Sequence, residues 1–255
     1  MKDRAFVIAA IGDRRKNIQR LVKNIRHYYN DIPIEIITTK DSNIGSYKNY
    51  DNPYMVQSNL HFVERIWPKG SYREGVRNSN YYKIKFAMNN HYSSLCLLDD
   101  DMFITNKNFI DGFDIAERFG VAVPLNPRVY IKYNAMGTDV QQKDLDEINQ
   151  TPLYAPSCNF SPFFVYPHHG YTTNFLNRLL SELQFNTCRG TLAIWKASWQ
   201  TGLTPVYLPE QWCVCGSNAE YIKNYKKVLQ GKEIVIEPMM LHLGHKKVRE
   251  VFGIE

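Results

Sequence analysis

The chain has 255 residues, of which 44 % are hydrophobic and 22 % charged, which is long enough for one large domain with an ordinary globular core. Its net charge of +6 is spread along the sequence, so an anionic partner is permitted but no basic tail for nucleic acid is present. Five cysteines without a Cys-x-x-Cys spacing argue against a zinc site or a disulfide framework and favour reduced thiols. No run approaches the roughly 20 apolar residues that span a bilayer, so we expect a soluble, cytoplasmic protein.

The first hundred residues alternate between strand-like and helix-like segments. The strand-like segments are residues 4–12, which form a continuous apolar run, and residues 32–39, 61–67 and 94–99. The helix-like segments have apolar residues at helical spacing and comprise residues 13–29 and 78–91. This β-α-β order predicts an open, mixed but mostly parallel sheet flanked by helices.

The second half of the chain is less regular. Strands are predicted at residues 119–124 and near the C-terminus, where the last strand leads into a basic turn. Helices are predicted at residues 144–150 and 173–185, and residues 190–199 are predicted as a strand followed by a helix. Without repeats or linkers, the α/β pattern indicates a single domain with two lobes.

Three consecutive aspartates lie between two apolar segments, in the sequence "CLLDDDMFIT". They follow a predicted parallel strand, and ligands bind at the carboxyl ends of such strands. Side chains two residues apart at this turn can converge on one cation, and carboxylate oxygens suit Mg²⁺ or Mn²⁺. The alternative is a solvated acidic turn.

Several segments together resemble the motifs of GT-A-fold glycosyltransferases, in particular glycosyltransferase family 8, the galactosyltransferase and glycogenin type. "LLDDDMFI" is similar to the family's Asp-x-Asp segment, and "AAIGD" occupies the position of its first nucleotide-binding motif. "YYKIKF", "CRGTLAIWKASW", "LPEQWCV" and "LHLGHKK" follow in the family's order, so the resemblance covers about residues 6–247. It implies a GT-A, Rossmann-like fold.

The resemblance implies a set of metal ligands and donor-binding residues. In the family the Asp-x-Asp motif supplies two metal ligands and a late histidine a third, which here are Asp99, Asp101 and His242, for Mn²⁺ or Mg²⁺. Asp100, between the two ligands, is expected to face the donor sugar or a backbone donor. Lys83 corresponds to an arginine that contacts the donor phosphate or sugar.

Two further residues are expected on the donor side. Asp13 corresponds to a position that contacts the nucleotide base or ribose. Arg77 lies about 1.7 helical turns before Lys83, so we expect both side chains to point toward the metal edge of the sheet.

The basic C-terminal segment is expected to bind phosphate. Gly244 allows the backbone to approach a phosphate group, and Lys246 and Lys247 neutralise its charge. We therefore expect residues 242–250 to form a lid that becomes ordered with the nucleotide; the alternative is a plain basic turn.

Glu210 and Gln211 are the candidate catalytic pair beside Asp100. A carboxylate at position 210 could deprotonate an acceptor hydroxyl in an inverting enzyme, and Gln211 could lie beneath the sugar in a retaining one. The sequence also departs from the family, because Cys188-Arg189-Gly190 stands where the family has Asn-Ala-Gly.

These features favour a metal-dependent hexosyl- or pentosyltransferase. It would move a sugar from a nucleotide-diphosphate donor, a UDP-sugar, to a hydroxyl of a saccharide, a lipid-linked glycan or a modified DNA base. Residues 1–105 would bind the donor and residues 106–255 the acceptor. The alternatives are a nucleotidyltransferase acting on sugar phosphates and a non-catalytic nucleic-acid-binding module.

Overall fold

A mixed sheet with helices on both faces forms the centre of the computed structural model, which describes residues 3–45, 58–131, 142–152, 154–187, 189–224, 226–229, 232–235 and 237–254. The strands are β1 (Arg4–Ala9), β2 (Ile34–Thr38), β3 (Ser58–Phe62), β4 (Ser94–Asp99), β5 (Met102–Ile104), β6 (Val121–Tyr130), β7 (Pro156–Cys158), β8 (Phe163–Val165), β9 (Val206–Leu208), β10 (Lys226–Leu229), β11 (Lys232–Val235) and β12 (Met240–His242). The helices are α1 (Arg15–Tyr28), α2 (Glu74–Met88), α3 (Asp111–Phe119), α4 (Gln142–Gln150), α5 (Gly170–Ser181), α6 (Gly190–Thr201), α7 (Ala219–Asn224) and α8 (Lys246–Phe252).

The main sheet has eight strands in the order β3-β2-β1-β4-β8-β6-β7, with β9 paired to β6. Strands β1 to β4 are mutually parallel, β8 is antiparallel to β4 and to β6, and β9 is parallel to β6. The α/β class, the mixed and mostly parallel sheet and the flanking helices are therefore confirmed. β5 follows the carboxyl end of β4 in the chain and pairs with β12 in a separate two-stranded sheet.

Both faces of the central strands are buried, which explains why β1 and β4 are continuous apolar runs. Phe6 and Ile8 of β1 point to one face, where they pack in a cluster with residues of α1 and α3. Val7 and its neighbours point to the other face, where they pack with residues of α2, α5 and α6. The alternation follows from the two-residue period of a strand.

Three predicted elements differ from the structure. Residues 190–199 are helical throughout: Ile194 and Ala197 of α6 pack in the cluster that covers the sheet, and Leu192 packs in a separate cluster with Ile148 of α4. The third strand is β3 at Ser58–Phe62, several residues before its predicted position. The basic turn at the C-terminus begins a helix, α8.

Four of the five cysteines lie among the described residues. Cys96, Cys158, Cys213 and Cys215 are free and buried, and Cys188 lies outside the described residues. None of the helices in the described ranges is long and apolar enough to cross a bilayer.

Candidate active site

The three aspartates lie where β4 ends, and each side chain has a different neighbour. The carboxylate of Asp99 accepts a hydrogen bond from Lys83 Nζ at 2.5 Å, and the Asp99 backbone N–H donates to Ser161 Oγ at 2.9 Å. Lys83 lies on α2 with a fully buried side chain, 5.1 Å from the centroid of the Phe160 ring. The positive charge of Lys83 thus balances the negative charge of the Asp99 carboxylate.

Asp100 points toward the start of α1. Its Oδ2 atom lies 3.5 Å from Asn17 Nδ2 and 3.6 Å from Arg14 Nε. Burial raises the pKa of Asp100 to about 6, Arg14 opposes this rise, and the carboxylates of Asp101 and Asp99 add to it. The Asp100 side chain therefore faces Arg14 and Asn17 at the start of α1.

Asp101 and His242 bring the two halves of the chain together at this edge. Asp101 Oδ2 lies 3.3 Å from His242 Nε2, and the Leu243 N–H donates to the Asp101 carbonyl at 2.8 Å. Burial raises the pKa of Asp101, but the hydrogen bond and charge of His242 outweigh this and lower it overall. Burial lowers the pKa of His242, but Asp101 outweighs that effect and raises it overall.

The backbone of Gly244 passes directly beside this pair. A Cβ atom on Gly244 would lie 2.2 Å from Asp101 Oδ2 and 3.1 Å from His242 Nε2, so only a residue without a side chain leaves the pair undisturbed. Asp101 Oδ1 is buried and lacks a hydrogen-bond partner. A carboxylate and an imidazole are suitable donors for Mn²⁺, so the pair fits a divalent ion.

The predicted third ligand is not assembled with the pair. Asp99 Oδ1 is bound to Lys83, and within the described part of the chain no three His, Cys, Asp or Glu side chains are arranged to hold a metal ion. Asp99 and His242 nevertheless line the same cavity.

That cavity has a volume of ≈ 260 Å³ and lies between α2, α6 and the ends of the central strands. Its wall comprises Arg73, Val76, Asn80, Asp99, Asn126, Ile131, Ile148, Cys158, Asn159, Phe160, Arg189, Gly190, Thr191, Leu192 and His242. An open groove of ≈ 530 Å³ shares Arg73 and Val76 with it and also contains Asp13. The groove and the cavity are therefore adjacent.

Other predicted donor-binding residues have different surroundings. Asp13 is exposed in the groove, and its backbone pairs with Asn43. The guanidinium of Arg77 lies over the Trp67 ring, 4.5 Å from its centroid. Lys246 pairs with Glu250 at 3.4 Å and Lys247 with Glu220 at 2.5 Å, both as exposed ion pairs.

Glu210 and Gln211 lie on a short turn after β9. Glu210 Oε2 accepts from Asn218 Nδ2 at 3.4 Å, and the Gln211 carbonyl accepts from the Met239 N–H at 2.8 Å. Neither belongs to the described wall of the cavity. The turn holds the strand that carries His242, because Met239 immediately precedes β12.

Several residues of the site were not predicted from sequence. Arg73, Asn159 and Arg189 line the cavity, and Ser161 binds the Asp99 backbone. The departure from the family motif at residues 188–190 was the one available signal for Arg189. Nothing in the sequence pattern distinguishes the other three.

Comparison with known proteins identifies the fold. No model of a known protein family matches the sequence. No curated protein is similar to it at a significant level.

Solved structures do match. The galactosyltransferase LgtC, solved with donor and acceptor sugar analogues, superposes with a TM-score of 0.64 at 8 % identity over 98 % of this chain and 94 % of LgtC. Mouse xyloside xylosyltransferase 1 superposes with a TM-score of 0.56 at 8 % identity, over 94 % of this chain and 97 % of its own. The bifunctional glycosyltransferase WbbM gives 0.59 at 12 % identity, over all of this chain and 52 % of its own. Together with the mixed eight-stranded sheet, these matches show that the chain has the GT-A glycosyltransferase fold.

Proposed function

We propose that this protein is a glycosyltransferase that moves a sugar from a nucleotide-diphosphate donor, a UDP-sugar, to a hydroxyl acceptor. The observation that carries the proposal is the contact of Asp101 with His242 beside Gly244, at the carboxyl end of the sheet. In open α/β sheets this edge is where ligands bind. The GT-A fold, shared with LgtC and the xylosyltransferase, supports the same reaction class.

Asp101 and His242 would hold a Mn²⁺ or Mg²⁺ ion, with Asp99 facing the same cavity. When bound, the ion supplies positive charge to the diphosphate leaving group. Lys83 would orient the Asp99 carboxylate through its 2.5 Å contact. Asp100 stays on the α1 side, where Arg14 balances its charge.

The two adjoining depressions suggest how the donor divides between them. The groove with Asp13 would bind the nucleoside, and the cavity with Asp99 and His242 would bind the sugar. The diphosphate would then lie between the groove and the cavity, next to Arg73, which lines both depressions. In this arrangement residues 1–105 would line the nucleoside groove, and residues 106–255 would supply most of the wall of the sugar cavity.

The experiment incubates the purified chain with a panel of UDP- and GDP-sugars and Mn²⁺ and measures nucleotide release by slow hydrolysis. We expect release from at least one donor, its loss in EDTA and its recovery with added Mn²⁺. Asp101→Asn and His242→Gln should each lower the rate about a hundredfold or more, because each removes a ligand without removing volume. Asp146→Asn, on the exposed face of α4, is the matched control and should leave the rate unchanged.

Two results would overturn the proposal. One is the absence of nucleotide release and of UDP binding across the whole panel. The other is full activity in EDTA or in the Asp101→Asn protein.

A further inference from the structure

Two hydrogen-bond donors in the wall of the cavity lack acceptors. Arg189 Nε and Asn159 Nδ2 are both buried without a hydrogen-bond partner. Buried donors of this kind are uncommon in folded proteins, because each loses its bonds to water. Both belong to residues that line the cavity shared by Asp99 and His242.

The surrounding structure holds both side chains in place. Asn159 Oδ1 accepts from Asn126 Nδ2 at 2.8 Å, which leaves its NH₂ group as the free end of the amide. Arg189 directly precedes α6, and its own N–H donates to Thr187 Oγ1 at 3.0 Å. Gly190 packs so closely on Phe160 that a Cβ atom would lie 2.3 Å from the ring. The backbone at Arg189 is therefore held by Thr187 and by the packing of Gly190, beside the cavity that Arg189 lines.

The charge of the cavity wall favours an anion. Arg73 and Arg189 contribute two guanidinium groups, whereas Asp99 is the one carboxylate among the described wall residues and is paired with Lys83. Arg73 also has φ 48, the one positive φ outside glycine in the described chain, a conformation that concentrates at ligand-binding sites. The wall thus offers N–H donors and positive charge in excess of acceptors.

We infer that Arg189 and Asn159 bind the carboxylate of an acidic sugar, a hexuronic acid residue, an inference that rests on the glycosyltransferase function proposed above. A planar carboxylate accepts two hydrogen bonds from one guanidinium and leaves lone pairs for the Asn159 amide. A neutral hexose presents a hydroxymethyl group at the same position and leaves the arginine without a counter-charge. The carboxylate belongs either to the donor sugar or to the acceptor sugar.

The test uses substrate pairs that differ only at C6. The donor pair is UDP-glucuronic acid and UDP-glucose, and the readout is UDP release with Mn²⁺. The acceptor pair is p-nitrophenyl glucuronide and p-nitrophenyl glucoside, offered with the donor that is hydrolysed fastest, and the readout is transfer product. We expect the wild-type chain to favour the charged member of one pair by about ten- to a hundredfold in kcat/KM, the range of a charge-assisted hydrogen bond.

Arg189→Gln should abolish that preference by lowering the rate with the charged member toward the rate with the neutral member. Arg189→Lys, which keeps the charge but not the planar fork, should retain part of the preference. Arg118→Gln, at an exposed position on α3, is the matched control and should behave as the wild type. Thermal unfolding of each variant confirms that it is folded.

Equal rates with both members of both pairs would overturn the inference while leaving the glycosyltransferase function intact. An equal loss on charged and neutral members in Arg189→Gln would also overturn it and assign the arginine to the diphosphate. No release or transfer with any donor would count against the proposed function itself.

Discussion

At the scale of single residues, the candidate metal site depends on the glycine at position 244, which has no side chain. Gly244 approaches the Asp101–His242 pair so closely that a methyl group would lie 2.2 Å from Asp101 Oδ2. Real Cβ atoms do not come this close to a carboxylate, so an alanine here must displace Asp101 or the turn. The requirement is steric, because the backbone of Gly244 is not in the left-handed region.

Gly244→Ala should therefore lower Mn²⁺ affinity and nucleotide release at least tenfold, with a small effect on thermal stability. Calorimetric titration with Mn²⁺ and the hydrolysis assay measure both effects. Gly170→Ala is the control, since a Cβ atom there meets nothing within 4 Å. Unchanged Mn²⁺ affinity in Gly244→Ala would show that the ion does not bind beside this pair.

At the scale of elements, the strand that carries His242 is attached to the chain just after the aspartates. β12 pairs with β5 so that His242 lies opposite Met102, and the His242 N–H donates to the Val214 carbonyl at 2.9 Å. Leu241 and Leu243 are buried in a small cluster with residues of α7 and α8. The sequence suggested a lid that orders on nucleotide binding, whereas these bonds indicate that its first residues are docked beforehand.

We expect the amides of His242 and Leu243 to exchange slowly without nucleotide or metal, because both N–H groups donate to backbone carbonyls. Amides 246 and 247 should exchange fast, since the first amides of a helix have no partner within it. Hydrogen-exchange mass spectrometry or NMR with and without UDP and Mn²⁺ measures this. Fast exchange at 242 and 243 that slows only with nucleotide would instead support the lid.

At the scale of the whole molecule, a buried carboxylate ties the sheet edge together. Glu35 on β2 is 2 % exposed and accepts hydrogen bonds from Asn59 Nδ2 at 2.8 Å and from the Tyr92 hydroxyl at 2.5 Å, and its other oxygen lies 2.6 Å from His61 Nε2. Burial raises the pKa of Glu35, but these three partners outweigh it and lower the pKa overall. The contacts therefore join β2, β3 and the segment before β4.

A carboxylate with a lowered folded pKa stabilises the fold above its unfolded pKa, and the contribution disappears as pH falls through the folded pKa. Glu35→Gln should lower the free energy of unfolding by about 1–3 kcal/mol at pH 7. The difference from wild type should begin to shrink below the ordinary glutamate pKa of 4.5 and continue to fall at lower pH. Urea unfolding at a series of pH values measures it, with the exposed Glu64→Gln as control. A difference that stays constant down to acid pH would contradict the assignment.

Local patterns in the sequence are enough to predict the fold class and the position of the aspartates at the end of a strand. Apolar runs such as β1 and β4 and the helical spacing in α1 are local patterns, and a β-α-β order leaves few topologies for a sheet. The same local reasoning failed for residues 190–199, because an apolar stretch is equally suited to a buried helix and to a buried strand.

Which of these side chains contact one another depends on the tertiary structure. The pairing of Asp101 with His242, the contact of Lys83 with Asp99 and the enclosure of Arg189 join residues that are distant in sequence. The hydrophobic periodicity of the sequence does not predict such contacts, since they depend on how strands and helices pack in three dimensions. The chain pattern thus predicted that the aspartates lie at the carboxyl edge of the sheet, and the packing of α2, α6 and β12 against that edge determined which side chains surround them.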